Sequence, residues 1–145
     1  MKLSTKGRYG TRLMLDLAIH YNNGPVLLKD IARRQAISEK YLGQLIRPLM
    51  TAKLVKSSRG AHGGYFLAKP PKAISLADIM EPLEGSLAIV ECIDTPGICP
   101  RVKHCVTREI WKEITDKVID TLKNFTLQDL VAGHNKKHKN LIYNI

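Results

Sequence analysis

The 145-residue sequence predicts a mainly α-helical fold that carries one small β-hairpin. Two observations predict it. Apolar residues recur every three or four positions in several separate stretches, the spacing of one helix face. A glycine-rich stretch, RGAHGG at 59–64, lies between runs of strand-forming residues, which is the pattern of a hairpin. A 44% hydrophobic content supplies enough apolar surface for a packed core.

The elements follow in order. In residues 7–21, Tyr9, Leu13, Leu17 and Tyr21 stand four apart with Met14 and Ala18 beside them. That stripe makes a first amphipathic helix, and Asn22-Asn23-Gly24-Pro25 stops it. Leu28, Ile31 and Ala32 give a short second helix. Ser38 suits the N-cap of a third, whose buried face is Leu42, Leu45, Ile46 and Leu49; Pro48 should kink or shorten it. Two short helices joined by a tight turn form a helix-turn-helix. Val55 on one side and Tyr65, Phe66 and Leu67 on the other flank the glycine-rich tip, so a hairpin follows directly, the winged-helix arrangement.

Ser75 with Asp78 three residues on predicts a capping box for a further short helix ending near Gly85. After a loop, Thr107 is the expected cap of a long helix. Trp111, Ile114, Val118, Leu122 and Phe125 line one side of it, opposite a charged face. An apolar stripe on a long helix behind a complete head suits a partner helix from a second copy, or packing back onto its own head. A short turn begins at Thr126. The expected organisation is therefore a winged head (1–72), a short helix with a cysteine loop (73–106), a long dimerisation helix with a short C-terminal helix (107–132), and a basic, flexible tail (133–145).

Charge narrows the partners. Residues 1–72 hold 14 Lys/Arg against 3 Asp/Glu, a net +11, and residues 73–145 hold 9 against 10, a net −1. A basic front half points to a polyanion on that half alone. No apolar run is long enough to cross a membrane, and the basic N-terminus lacks the apolar stretch and cleavage site of a secretory signal, so a cytoplasmic protein is expected. The residues hold no Ser-His-Asp order, paired-carboxylate cleft or Gly-rich phosphate loop with Lys-Ser/Thr, which argues against an enzyme.

In a helix-turn-helix the second helix reads the major groove of double-stranded DNA with its N-terminal residues. Here these are Ser38, Lys40 and Tyr41, with Gln44 one turn further on, able to pair bidentately with adenine, and Arg47 toward the backbone. Arg59, beside Gly60 at the wing tip, suits a narrow minor groove. Lys2, Arg8 and Tyr9 would add contacts from the first helix.

Every cysteine in the chain, Cys92, Cys99 and Cys105, falls in ECIDTPGICPRVKHCVT at 91–107. The C-x6-C-x5-C spacing is wider than that of zinc knuckles, and clustered soft thiolates select iron–sulfur clusters or zinc. The fourth ligand is not among the cysteines; His104, Asp94, Glu91 and Glu109 are candidates. Two rival readings remain: a cluster-free regulator controlled by thiol oxidation or a protein partner, and a small electron-transfer or iron-delivery protein with a basic docking face.

The start MKLSTKGRYG, the stretch ISEKYLGQL, the wing RGAHGGY and the three cysteines followed by VTREIW resemble the Rrf-two superfamily of bacterial winged-helix regulators, the family of IscR, NsrR and RirA, from residue 1 to about 131. The resemblance implies a homodimer crossed by the long helix and bound to operator DNA as a repressor. It also implies a 2Fe–2S or 4Fe–4S cluster on Cys92, Cys99 and Cys105 that senses cluster supply, redox state or nitric oxide. Three departures stand out, the first being that where some members have an aspartate near the N-terminus of the partner subunit to complete a 4Fe–4S site, this chain has Lys6, Gly7 and Arg8. Where one branch of the family has a histidine ligand three residues after the last cysteine, this chain has Arg108, which stays protonated and cannot ligate. Where members often carry an acidic residue in the recognition helix, it has Gly43.

Overall fold

The computed structural model describes residues 2–144. Helix α1 (Thr5–Ile19) starts at Ser4, whose Oγ accepts from the Gly7 N–H at 3.3 Å, and buries Leu13, Met14, Leu17 and Ala18. Helix α2 (Leu28–Gln35) ends on Ala36 in the left-handed conformation, φ 52°. Ser38 then caps α3 (Glu39–Thr51), its Oγ accepting from the Tyr41 N–H at 3.1 Å. The buried residues of α3 are the expected Leu42, Leu45, Ile46 and Leu49. The expected shortening at Pro48 does not occur: the helix continues to Thr51, and the Pro48 carbonyl accepts from Ala52 N–H at 2.9 Å. Pro48 lies in the last turn, where losing one backbone donor leaves little helix to disrupt.

The wing pairs β1 (Val55–Ser58) with β2 (Gly64–Leu67) antiparallel, Val55 opposite Leu67 and Ser58 opposite Gly64. A long-range bridge adds to it. Val26, just beyond α1, exchanges both backbone hydrogen bonds with Tyr65 at 2.8 Å, so the wing is stitched to the turn that precedes α2. Gly64 is obligatory there: at φ +150° a Cβ would stand 2.6 Å from the Val26 carbonyl oxygen.

Helix α4 (Leu76–Glu84) begins with the expected capping box between Ser75 and Asp78 and packs across α1. The loop to the long helix contains a single short turn, α5 (Glu91–Asp94), and two 3₁₀ turns, Pro96–Ile98 and Val102–His104. Helix α6 (Val106–Asn124) follows. Its N-cap is Cys105 rather than Thr107, which lies inside the first turn. Thr115 is the one residue of α6 that is fully buried, and its Oγ1 accepts from Ile89 N–H at 3.3 Å.

Helix α7 (Leu127–Tyr143) corrects the expectation of a short turn and a loose tail. Thr126 and Asp129 form a capping box, Leu127 is fully buried, and Leu130 and Val131 pack against the core beside α1. Backbone bonds from Leu127 N to Ile74 O (2.9 Å) and from Leu76 N to Phe125 O (2.8 Å) fasten its start to α4. Residues 133–143, expected to be flexible, are therefore helix, propagated from an anchored first turn.

Candidate nucleic-acid interface and cysteine loop

The first three helices and the wing carry most of the basic residues of the head. Ser38, Lys40, Gln44 and Arg47 of α3 are exposed, and a shallow concave surface runs between α2 and α3 along Leu28, Glu39, Lys40, Gly43, Gln44 and Arg47. Arg59 and Gly60 are exposed at the wing tip, with Gly60 at φ +107°. An exposed helix of this kind is the element that enters a major groove in winged-helix recognition.

Helix α1 joins this face through an aromatic–arginine cluster. The Tyr9 ring stands edge-on to Tyr41, with centroids 6.0 Å apart. The guanidinium carbons of Arg8 and Arg12 lie 5.6 and 5.4 Å from the centre of the Tyr9 ring, within cation–π range. Thr5 Oγ1 lies 3.2 Å from Tyr41 Oη. The N-terminal turns of α1 thus contact Tyr41 in the first turn of the recognition helix. Lys2 is placed elsewhere, lining an apolar groove with Met80, Leu87, Ile89, Val118 and Leu122.

Sequence reasoning missed the clamp that orients α2. Asp16, only 1% exposed, receives Arg34 Nη2 at 2.7 Å, Arg34 Nε at 3.0 Å and Gln35 Nε2 at 3.1 Å. Burial alone would push this carboxyl up. Hydrogen bonds from Arg34 and Gln35 and the charges of Arg34 and His20 outweigh it and hold the group below the usual carboxylate range. Arg12 Nε extends the network by donating to Gln35 Oε1 at 3.2 Å. A lone acid inside the apolar stripe of α1 was the available signal.

Gly43 is not imposed by packing. A Cβ there would meet only Leu28 Cδ2, at an ordinary 3.9 Å. Gly43→Ala should therefore raise stability by about 0.5–1 kcal/mol through helix propensity, measured by urea denaturation.

The cysteine loop lies between α4 and α6. Cys92, Cys99 and Cys105 are unpaired and half-buried. Cys105 Sγ lies 3.3 Å from Thr107 Oγ1. That hydroxyl is the largest influence holding the thiol below its usual range, with the backbone N–H groups of Arg108 and Thr107 and the charge of Arg101 acting the same way against a smaller effect of burial. Arg108 Nε donates to the Cys92 carbonyl at 3.2 Å, so the position that could have held a histidine instead ties the loop to α6. Asp94 accepts from the Ser86 hydroxyl, while Glu91, His104 and Glu109 are exposed. Among the described residues no three His, Cys, Asp or Glu side chains stand together as a metal-holding group. The donor chemistry of three thiols suits an iron–sulfur cluster; the ligand geometry is not assembled in this loop conformation.

The apolar stripe of α6 is uncovered on the chain. Trp111, Ile114, Val118 and Phe125 are exposed, and Leu122 is half-buried. No helix among the described residues is long and apolar enough to cross a membrane.

Comparison with known proteins is consistent with this architecture. A family model described as Rrf2, iron-dependent transcriptional regulator, matches residues 3–133. The chain is 46% identical over 140 residues to the protein rrf2 of Nitratidesulfovibrio vulgaris, covering 97% of this chain and 93% of that one. It superposes on the solved structure of CymR, the global cysteine regulator of B. subtilis, with a TM-score of 0.76 and 45% identity, covering 91% of this chain and 97% of that one. It superposes on IscR of T. potens with a TM-score of 0.76 and 43% identity, covering 92% and 88%. The winged helix-turn-helix, the extent of the match and the identity of these relatives together make the chain a member of the Rrf2 family of DNA-binding transcriptional regulators, and not an enzyme.

Proposed function

We propose that the chain acts in the cytoplasm as a homodimeric repressor of two-fold operator DNA, and that the state of its cysteine loop sets operator affinity. The observation that carries this reading is the position of the loop. All three thiols lie between α4, which packs on the DNA-binding head, and α6, whose apolar stripe is free to meet a second copy. Binding at the loop is thereby placed to change the separation of two heads. A dimer of winged heads would read half-sites about one helical turn apart. Ser38, Lys40, Tyr41 and Gln44 would face base edges; Arg8, Tyr9 and Arg47 the backbone; Arg59 and Gly60 the minor groove.

Cys92, Cys99 and Cys105 would hold the cluster, 2Fe–2S or 4Fe–4S. When bound it would supply redox-active, ligand-exchangeable iron. The chain's own residues do the rest. Thr107 and the first backbone N–H groups of α6 hold the Cys105 thiol below its usual range, and Arg108 holds the Cys92 end of the loop against α6.

A second reading keeps the DNA-binding dimer and replaces the cluster by direct thiol chemistry or a protein partner. Two observations favour it: the thiols are not gathered into a metal-holding group, and the Thr107 hydroxyl beside Cys105 Sγ holds that thiol below its usual range. Anaerobic purification with iron and sulfide analysis and a visible spectrum separates the two. Near-stoichiometric iron and sulfide, lost in Cys92→Ala, Cys99→Ala and Cys105→Ala, is expected. Colourless, iron-free protein that still binds an operator would leave the thiol-controlled regulator.

A further inference from the structure

One carboxylate at the junction of α4 and the loop makes a polar contact with the start of α1. Glu84 is the last residue of α4; Gly85, at φ +79°, and the cysteine loop follow it immediately. Its Oε1 accepts from the Ser4 hydroxyl at 2.5 Å and from the Gly7 N–H at 3.1 Å, so a side chain 77 residues away caps the first turn of α1. An acidic group at a helix N-terminus also complements the partial positive charge there. The approach depends on glycine. A Cβ at Gly7 would stand 2.3 Å from Glu84 Oε1, and one at Gly10 would stand 2.1 Å from Leu83 Cδ1.

Both ends of this contact lead onward. On the loop side, Ser86, two residues past Glu84, donates to the Asp94 carboxylate on the same short turn as Cys92, and its Oγ accepts from Ala88 N–H at 3.0 Å. On the head side, the first turns of α1 carry Thr5 and Tyr9, which meet Tyr41 of the recognition helix.

We propose that Glu84 is a positioning residue that couples the cysteine loop to the DNA-binding head: its carboxylate holds the N-terminus of α1, so a shift of the loop moves α1 and, through Tyr9 and Tyr41, the recognition helix. The inference rests on the reading that loop state controls operator affinity, and it names the route. The test reads the coupling itself.

Operator affinity is measured by fluorescence anisotropy in two loop states, reconstituted anaerobically with ferrous iron and sulfide, and chelator-stripped with reduced thiols. The wild type should differ between them by a factor in the range of about 5 to 150. Glu84→Ala should bind the operator in both states with a ratio within about twofold, the coupling having gone. Glu84→Gln, which keeps an acceptor oxygen, should retain most of the ratio. Gly7→Ala provides an independent variant. Its Cβ displaces the flexible carboxylate tip, meets the flexible Met80 Sδ at 3.0 Å and favours helix while residue 84 itself is unchanged, so it should lose the ratio even if Glu84→Ala fails to fold. In the chelator-stripped protein, amides of residues 5–10 should exchange about tenfold faster in Glu84→Ala than in wild type. Wild-type ratios in both Glu84→Ala and Gly7→Ala would overturn the assignment and leave Glu84 a structural cap. Equal affinities in the two states of the wild type would instead defeat the reading of the loop as the control element, and the coupling with it.

Discussion

Replacing Val118 by glutamate is expected to yield a monomer whose operator affinity is lower by a factor of about 100 or more, or roughly 3 kcal/mol. Val118 is 37% exposed at the middle of α6, one turn from Ile114 at 36% and two from Trp111 at 40%. These side chains follow the i, i+3/i+4, i+7 spacing of a helix that packs against a partner. The neighbouring polar residues pair among themselves. Lys112 Nζ lies 2.6 Å from Asp116 Oδ2 and Lys117 Nζ 2.9 Å from Glu113 Oε1, which leaves the apolar side free for association. In a symmetric dimer the substitution places two carboxylates in one apolar seam, and neither has a partner there. Sedimentation velocity reads the loss of the dimer directly, and anisotropy with a two-fold operator reads the loss of the second half-site. The same substitution should leave the helical content of the full chain, read by far-UV circular dichroism, nearly unchanged, because Val118 contributes little to the core of its own chain.

The second large effect lies in the head. Asp16→Ala should destabilise the fold by about 2–3 kcal/mol, because hydrogen bonds to a buried charged group are lost and Arg34 and Gln35 are left without their acceptor. For a chain of this length that is a fall in Tm of roughly 5–10 °C. The cost stays below that of a fully buried pair because the Arg34 side chain is 34% exposed and turns to water. The pH dependence has a definite sign. The folded-state pKa of Asp16 is depressed, so its stabilisation is complete above the unfolded value of about 4 and drains away as pH falls through the lower folded value. The stability gap between wild type and Asp16→Ala should therefore be constant from neutral pH to about pH 5 and narrow below about pH 4. Urea titrations across that range measure it. A gap that widened on acidification would contradict the assigned direction. Because Asp16 sets α2 against α1, weaker operator binding should accompany the loss of stability.

Much of the fold was legible because its signals are local. The stripes of α1 and α3 and the caps at Ser38 and Ser75 appear where the residue pattern puts them, and the wing strands flank the expected glycine tip. What escaped depends on distant partners or on weak local signals. The Val26–Tyr65 bridge joins residues far apart in sequence, and neither carries a mark of the other. Asp16 reads as a stray acid on an apolar face until Arg34 and Gln35, 18 and 19 residues later, are brought against it. The second half of α7, GHNKKHKNLIY, has no apolar periodicity and opens with glycine, so its helicity is inherited from the capped, buried turn at Thr126–Leu127. At the start of α6 a hydroxyl at 107 marked the region but not the cap, which a cysteine occupies. The cysteine cluster was plain from spacing alone. That the first turn of α1 is capped by Glu84, next to that cluster, was not, since capping residues are ordinarily sought within a few positions.

One titration tests most directly whether the state of three thiols controls how tightly the dimer holds DNA. A two-fold operator duplex is titrated anaerobically with wild type reconstituted with iron and sulfide, and with the same preparation stripped by chelator and kept reduced. The expected result is a difference in operator affinity in the range of about 5- to 150-fold, absent when Cys92, Cys99 and Cys105 are all replaced by alanine. Equal affinities for the two wild-type preparations, with iron and sulfide verified in the first, would contradict that control.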